Sequence, residues 1–77
     1  MDTELMMIQM EQDFNELAEQ YDGAAENELL FALGAPDAES TKMHTQNVVQ
    51  NREMAKFYRY LATHALGLVE GYTEEED

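Results

Sequence analysis

Arg52-Glu53-Met54-Ala55-Lys56-Phe57-Tyr58-Arg59-Tyr60-Leu61 is the stretch on which the reading of this chain turns. At about 100° per residue, Arg52, Lys56 and Arg59 fall in one narrow wedge of a helix, and Met54, Phe57, Tyr58 and Leu61 fall on the opposite side. The apolar series continues through Ala65 and Leu68, and the polar wedge through Thr63. The pattern predicts a long amphipathic helix whose cations point away from the core it builds. The same ten residues hold three of the four basic groups in a 77-residue chain of formal net charge -13.

Outward from this stretch, the chain punctuates itself. Gly34-Ala35-Pro36-Asp37 is the clearest boundary: Gly34 suits a left-handed helix stop, Pro36 forbids continuation and Asp37 can cap the next helix. A helix over 38–70 is expected after it, ending at Gly71 with Tyr72 folding back and an acidic, solvated tail over 73–77. Before it, Met7, Met10, Phe14, Leu17, Tyr21 and Ala24 keep a 3-4-3-4 spacing, the seam of a left-handed helix pairing. Asp2 or Thr3 can cap that helix. Asp22-Gly23 predicts a kink or short break, since Gly in a helix costs about 1 kcal/mol relative to Ala. The expected elements are thus helices over 3–21, 24–33 and 38–70 in one domain over 1–72. Ala25, Leu29, Ala32 and Leu33 are expected inward on the second.

The fold class is all-α: an antiparallel helical hairpin whose first arm is kinked near Gly23. A chain this short buries only about 60% of its unfolded surface. One hairpin leaves much of each apolar stripe in water, so completion as a helical bundle by homo-oligomerisation is expected, a dimer first. Leu5, Ile8, Met10, Phe14, Leu17, Phe57, Leu61 and Leu68 are the candidate interface.

Charge is segregated. Residues 1–41 carry eleven acids and no base, residues 42–60 carry all four bases against Glu53, and residues 61–77 carry five acids and no base. Designed surfaces of this size use a net charge of about 2–8, so solubility alone does not call for this excess. Glu11, Asp13, Glu16 and Glu19 are the candidate partner-binding residues, imitating nucleic-acid charge before a basic cleft. The balance excludes direct nucleic-acid or anionic-membrane binding over most of the surface. In size and charge the chain resembles small phage-encoded inhibitors that mimic nucleic acid, anti-CRISPR proteins among them. No motif carries that likeness, and it transfers no residue roles.

The expected function is therefore a small, acidic, non-catalytic protein that blocks a basic surface of a partner such as a nucleic-acid-binding protein. Two alternatives stand beside it. An oligomeric sponge would hold a small anionic ligand such as a nucleotide on Arg52, Lys56, Arg59 and Tyr60, by charge-assisted hydrogen bonds and stacking. A structural subunit would use both charged faces as contacts. Asn47 and Gln50 at core-facing positions would fix dimer register or line a polar pocket with His44 and Asn51. His44 and His64 share no helical face and are read as surface or interface residues. With no cysteine, neither a metal nor a cofactor is expected. No apolar run approaches the roughly 18 residues of a membrane span, and the acidic N-terminus is unlike a signal peptide, so a cytoplasmic protein is expected.

Overall fold

The computed structural model describes residues 2–76, with side chains through residue 71. It is all-helical, with no strand among the described residues: α1 (Thr3–Leu33), α2 (Ala38–Thr63) and α3 (Ala65–Glu76). Both long helices start on an aspartate. The Asp2 carboxylate accepts from the Glu4 N–H at 2.9 Å and the Asp37 carboxylate from the Ser40 N–H at 2.7 Å, each satisfying a donor the first helical turn leaves orphaned.

Between the helices the chain turns within Gly34 to Asp37. The Gly34 N–H donates to the Leu30 carbonyl at 3.1 Å, but Gly34 sits at φ -98°, ψ 9°, not in the left-handed region expected of it. Pro36 and the extended Asp37 stop the chain here, rather than a glycine of reversed φ.

Three boundaries differ from the sequence pattern. α1 runs unbroken through Asp22-Gly23, so the helices expected over 3–21 and 24–33 are one. Gly23 is exposed, with nothing within 4 Å of where a Cβ would stand. A single glycine there costs about 1 kcal/mol, which the packing of Tyr21 and Ala25 on either side offsets.

The helix expected over 38–70 instead ends at His64, whose N–H donates to both the Tyr60 and Leu61 carbonyls at 3.1 Å. The Thr63 hydroxyl bonds back to the Arg59 carbonyl at 3.0 Å, which bends helices. Thr45 makes the same back-bond to Thr41 without a break, so packing decides the matter. Immediately after His64, Ala65 and Val69 are 0% and 1% exposed.

α3 continues to Glu76 rather than stopping at Gly71. No glycine takes the positive φ of a helix stop. The expected placement of the Tyr72 side chain and the solvation of the tail over 73–77 lie outside the described side chains.

α1 lies against α2 in the opposite sense. Phe14 stacks on Tyr58 with ring centroids 6.0 Å apart, and further along α1, back toward the start of α2, Glu28 meets His44. The Cα trace spans 57 × 17 × 14 Å, a rod two helices wide. Among the described residues the buried ones are small: Ala18, Ala25, Ala55, Ala62, Ala65 and Val69. On α1 the row facing α2 is Glu11, Ala18, Ala25 and Ala32 beside Met7, Phe14, Tyr21 and Glu28, all at seven-residue spacing. The seam is therefore rotated from the Met10, Leu17, Ala24 line that the spacing favoured; those three are half-buried at its margin. Leu29 and Leu33, expected inward, are 42% and 78% exposed.

Where alanines face each other, added volume has nowhere to go. Ala18→Leu and Ala55→Leu are each expected to destabilise by about 1–3 kcal/mol in urea unfolding followed by circular dichroism. Leu30→Ala, at a site 66% exposed, is expected to change stability by less than about 0.5 kcal/mol.

Candidate interaction surfaces

Two helices packed through one seam leave three kinds of surface: the two flanks beside the seam and the outer backs. On α1, Asp22 lies one turn beyond Ala18 on one flank, while Leu17 lies on the other. On α2, Arg59 and Leu61 divide in the same way about Ala55 and Ala62. In an antiparallel pair, Asp22 and Arg59 then share a face, and their side chains form an ion pair. That contact labels the charged flank. Exposed as it is, the pair contributes about 0–1 kcal/mol.

The cationic row belongs to this flank. Arg52, Lys56, Arg59 and Tyr60 are all exposed. Arg59, however, is engaged by Asp22 of the same chain, and the Tyr60 ring lies against His64 at a centroid distance of 4.1 Å. Pairing inside the chain thus occupies the guanidinium that an anionic ligand would need. The spacing within α2 does not reveal Asp22, because it lies thirty-seven residues away.

The four candidate acids do not share one surface. Asp13, Glu16 and Glu19 are exposed on the back of α1, and Asp13 and Glu16 border a shallow hollow of about 310 Å³ with Leu17 and Gln20. The Gln9 side-chain amide donates to Asp13 at 2.9 Å. Glu11 is half-buried in the row of Ala18 and Ala25, toward α2. It leaves the acidic back because the true seam runs through its heptad position.

The eight candidate interface residues also divide. Met10, Leu17 and Leu61 are half-buried and Leu68 is 42% exposed, all along the flank opposite Asp22 and Arg59. Phe57, 51% exposed, stands just beyond them. Phe14 is used within the chain, against Tyr58. Leu5 and Ile8 are 64% and 40% exposed, off this flank. Leu5 instead lines an apolar hollow of about 390 Å³ with Met6, Gln9 and Met10.

Near the turn, a polar cluster replaces the apolar seam. The Glu28 carboxylate and the His44 Nδ1 are 2.5 Å apart, the His44 ring tilts against Phe31 at 5.6 Å, and Asn47 is half-buried beside them. His44 is thus a seam residue, not a surface one, and Gln50, expected to face the core, is exposed. The hydrogen bond with His44 holds the Glu28 carboxyl below its ordinary range, against desolvation and with help from an Asn47 hydrogen bond and the His44 charge. At the start of α2, the Ser40 backbone N–H and then its side chain do the same for Asp37. Glu28 occupies the heptad position of Phe14 and Tyr21, a signal that was present in the spacing but hidden by its charge.

No described helix is long and apolar enough to cross a membrane. No protein-family model matches the chain, and neither a curated protein nor a solved structure is significantly similar to it.

Both lowered carboxyls stabilise the fold in their ionised form. A folded-state pKa below the unfolded one contributes stability above the ordinary carboxylate range, and that stability is lost as pH falls through the folded value. The urea midpoints of Asp37→Ala and Glu28→Gln are therefore expected to lie below wild type at about pH 6, the gap narrowing toward about pH 3. A gap independent of pH would exclude the charged form as the stabilising one.

Proposed function

We propose that this is a small, non-catalytic, acidic binding protein of the cytoplasm. It is a helical hairpin that self-associates into a bundle and blocks a basic surface on a partner. The partner class whose chemistry fits is a nucleic-acid-binding protein, whose phosphate-contacting surface is rich in Lys and Arg.

One observation carries this reading. α1 is 31 residues long and bears Glu4, Glu11, Asp13, Glu16, Glu19, Asp22, Glu26 and Glu28 without a single base. Asp13, Glu16 and Glu19 recur every third residue on its exposed back. Their axial interval of about 4.5 Å is of the order of the roughly 3.4 Å rise per phosphate along one DNA strand. These carboxylates are exposed along one helix, Asp13 and Glu16 bordering only a shallow hollow, an arrangement suited to contact and not to proton transfer.

The test is affinity capture of partners from cell lysate at graded salt. Wild type is expected to retain a basic nucleic-acid-binding protein and release it as salt rises. The triple variant Asp13→Asn, Glu16→Gln, Glu19→Gln is expected to bind about tenfold more weakly, from three exposed pairs at about 0.5 kcal/mol each. Glu11→Gln, on the α2-facing row, is expected to bind like wild type. Capture that ignores both salt and the triple variant would sink the reading.

A further inference from the structure

The chain exposes 5767 Å². A compact monomer of 8.8 kDa exposes about 4,800 Å² by the usual size scaling. The surplus of roughly 1,000 Å² reflects the elongated rod, 57 × 17 × 14 Å, whose long flanks offer the roughly 800 Å² per partner of a standard protein interface.

One flank is suited to supply it. Met10, Leu17 and Ala24 on α1, and Met54 and Leu61 on α2, are half-buried; Leu68 on α3 continues the second row. Neither row contains a charge. Every other surface does: Asp22, Arg52 and Arg59 on the opposite flank, and Asp13, Glu16 and Glu19 on the back of α1. Two chains of net charge -13 repel each other wherever carboxylates would meet, so this flank, whose two inner rows carry no charge and which Asp13 borders only at its outer edge, is where close approach costs least.

The contacts within the chain also set an orientation. Phe14 opposite Tyr58 and Glu28 opposite His44 put Leu17 level with Met54, and Met10 level with Leu61. Two flanks stacked by a half-turn about an axis perpendicular to the rod would lay α1 on α1, acids on acids. A half-turn about the long axis lays α1 of one copy on α2 of the other, which carries Lys42, Arg52, Lys56 and Arg59 on its other faces and so a less negative charge than α1.

We propose that a second copy of this chain docks on the Met10–Leu17–Ala24 and Met54–Leu61–Leu68 flank, turned about the long axis, so that Leu17 meets Met54 and Met10 meets Leu61 across the interface. This deepens the self-association proposed above by naming the face and the arrangement. It does not depend on any basic partner.

Sedimentation equilibrium of the full chain is expected to return twice 8.8 kDa. Leu61→Glu, with its helix content checked by circular dichroism, is expected to halve that mass, and Leu30→Glu on the back of α1 to leave it unchanged. The absence of cysteine in the chain allows a second measurement in a background with the flank otherwise intact. Under mild oxidation, a mixture of Leu17→Cys and Met54→Cys chains is expected to give the mixed disulfide, and Leu17→Cys alone to give little. A monomeric wild type overturns the whole proposal, self-association included. A dimer that withstands a folded Leu61→Glu overturns the face. Leu17→Cys coupling to itself in preference to Met54→Cys overturns the arrangement. None of these outcomes tests the basic-surface reading, whose variants at Glu16 and Glu19 lie on the back of α1 and at Asp13 on the outer edge of the flank.

Discussion

The close approach of two alanine rows is the constraint on which the rest of the structure depends. Ala18 on α1 comes level with Ala55 on α2, Ala25 and Ala62 are buried toward opposite ends of the same seam, and the largest fully covered side chain among the described residues is Val69. Small residues let the helix axes come near one another, but they bury little apolar surface, at about 25 cal/mol per Å². The larger apolar groups are displaced to the margins. Met10, Leu17, Met54 and Leu61 end half-covered, and Phe31, Val49 and Phe57 more than half exposed. Within the seam the large rings Phe14, Tyr21 and Tyr58 stack together, Tyr58 held between the other two at 6.0 and 5.7 Å. Such ring pairs contribute about 0.5–1.5 kcal/mol beyond their area.

A thin core shifts the decisive role to the flanks, and charge separates them. The Asp22–Arg59 pair adds little stability of its own, yet it marks the flank on which a cation of α2 meets an acid of α1. The opposite flank carries no charge in its two inner rows. The charged groups on the back of α1 are all acids. Three surfaces with three distinct chemistries therefore come from two helices. The proposed self-association on one and the proposed contact with a basic partner on another use different residues.

At the turn, the seam changes character. Glu28 occupies the position that Phe14 and Tyr21 hold further along, and it is satisfied by His44 and Asn47 rather than by apolar packing. A partly buried carboxylate is tolerated when its hydrogen bonds are made within the fold. The cluster also ties residues sixteen apart across the Gly34–Asp37 connection, which fixes the register with which α2 sets off along α1.

The helical class, the aspartate caps, the stop at Gly34-Ala35-Pro36-Asp37 and the segregation of charge were all decided by the sequence itself. Each rests on local chemistry: periodicity, a capping carboxylate, a proline, a count of ionisable groups. Its spacing also contained the true seam, as alanines at 18, 25 and 32, but hydrophobicity pointed to Met10 and Leu17 instead, because a bulky residue reads as more apolar than the alanine beside it. Which row faces inward, that α1 passes through Gly23, that α2 ends at His64, and that Arg59 is engaged by Asp22 were decided only in the tertiary structure. In each case the deciding partner lies on the other helix, and a contact between residues sixteen or thirty-seven apart is set by how closely two backbones can approach, which the periodicity of neither helix contains.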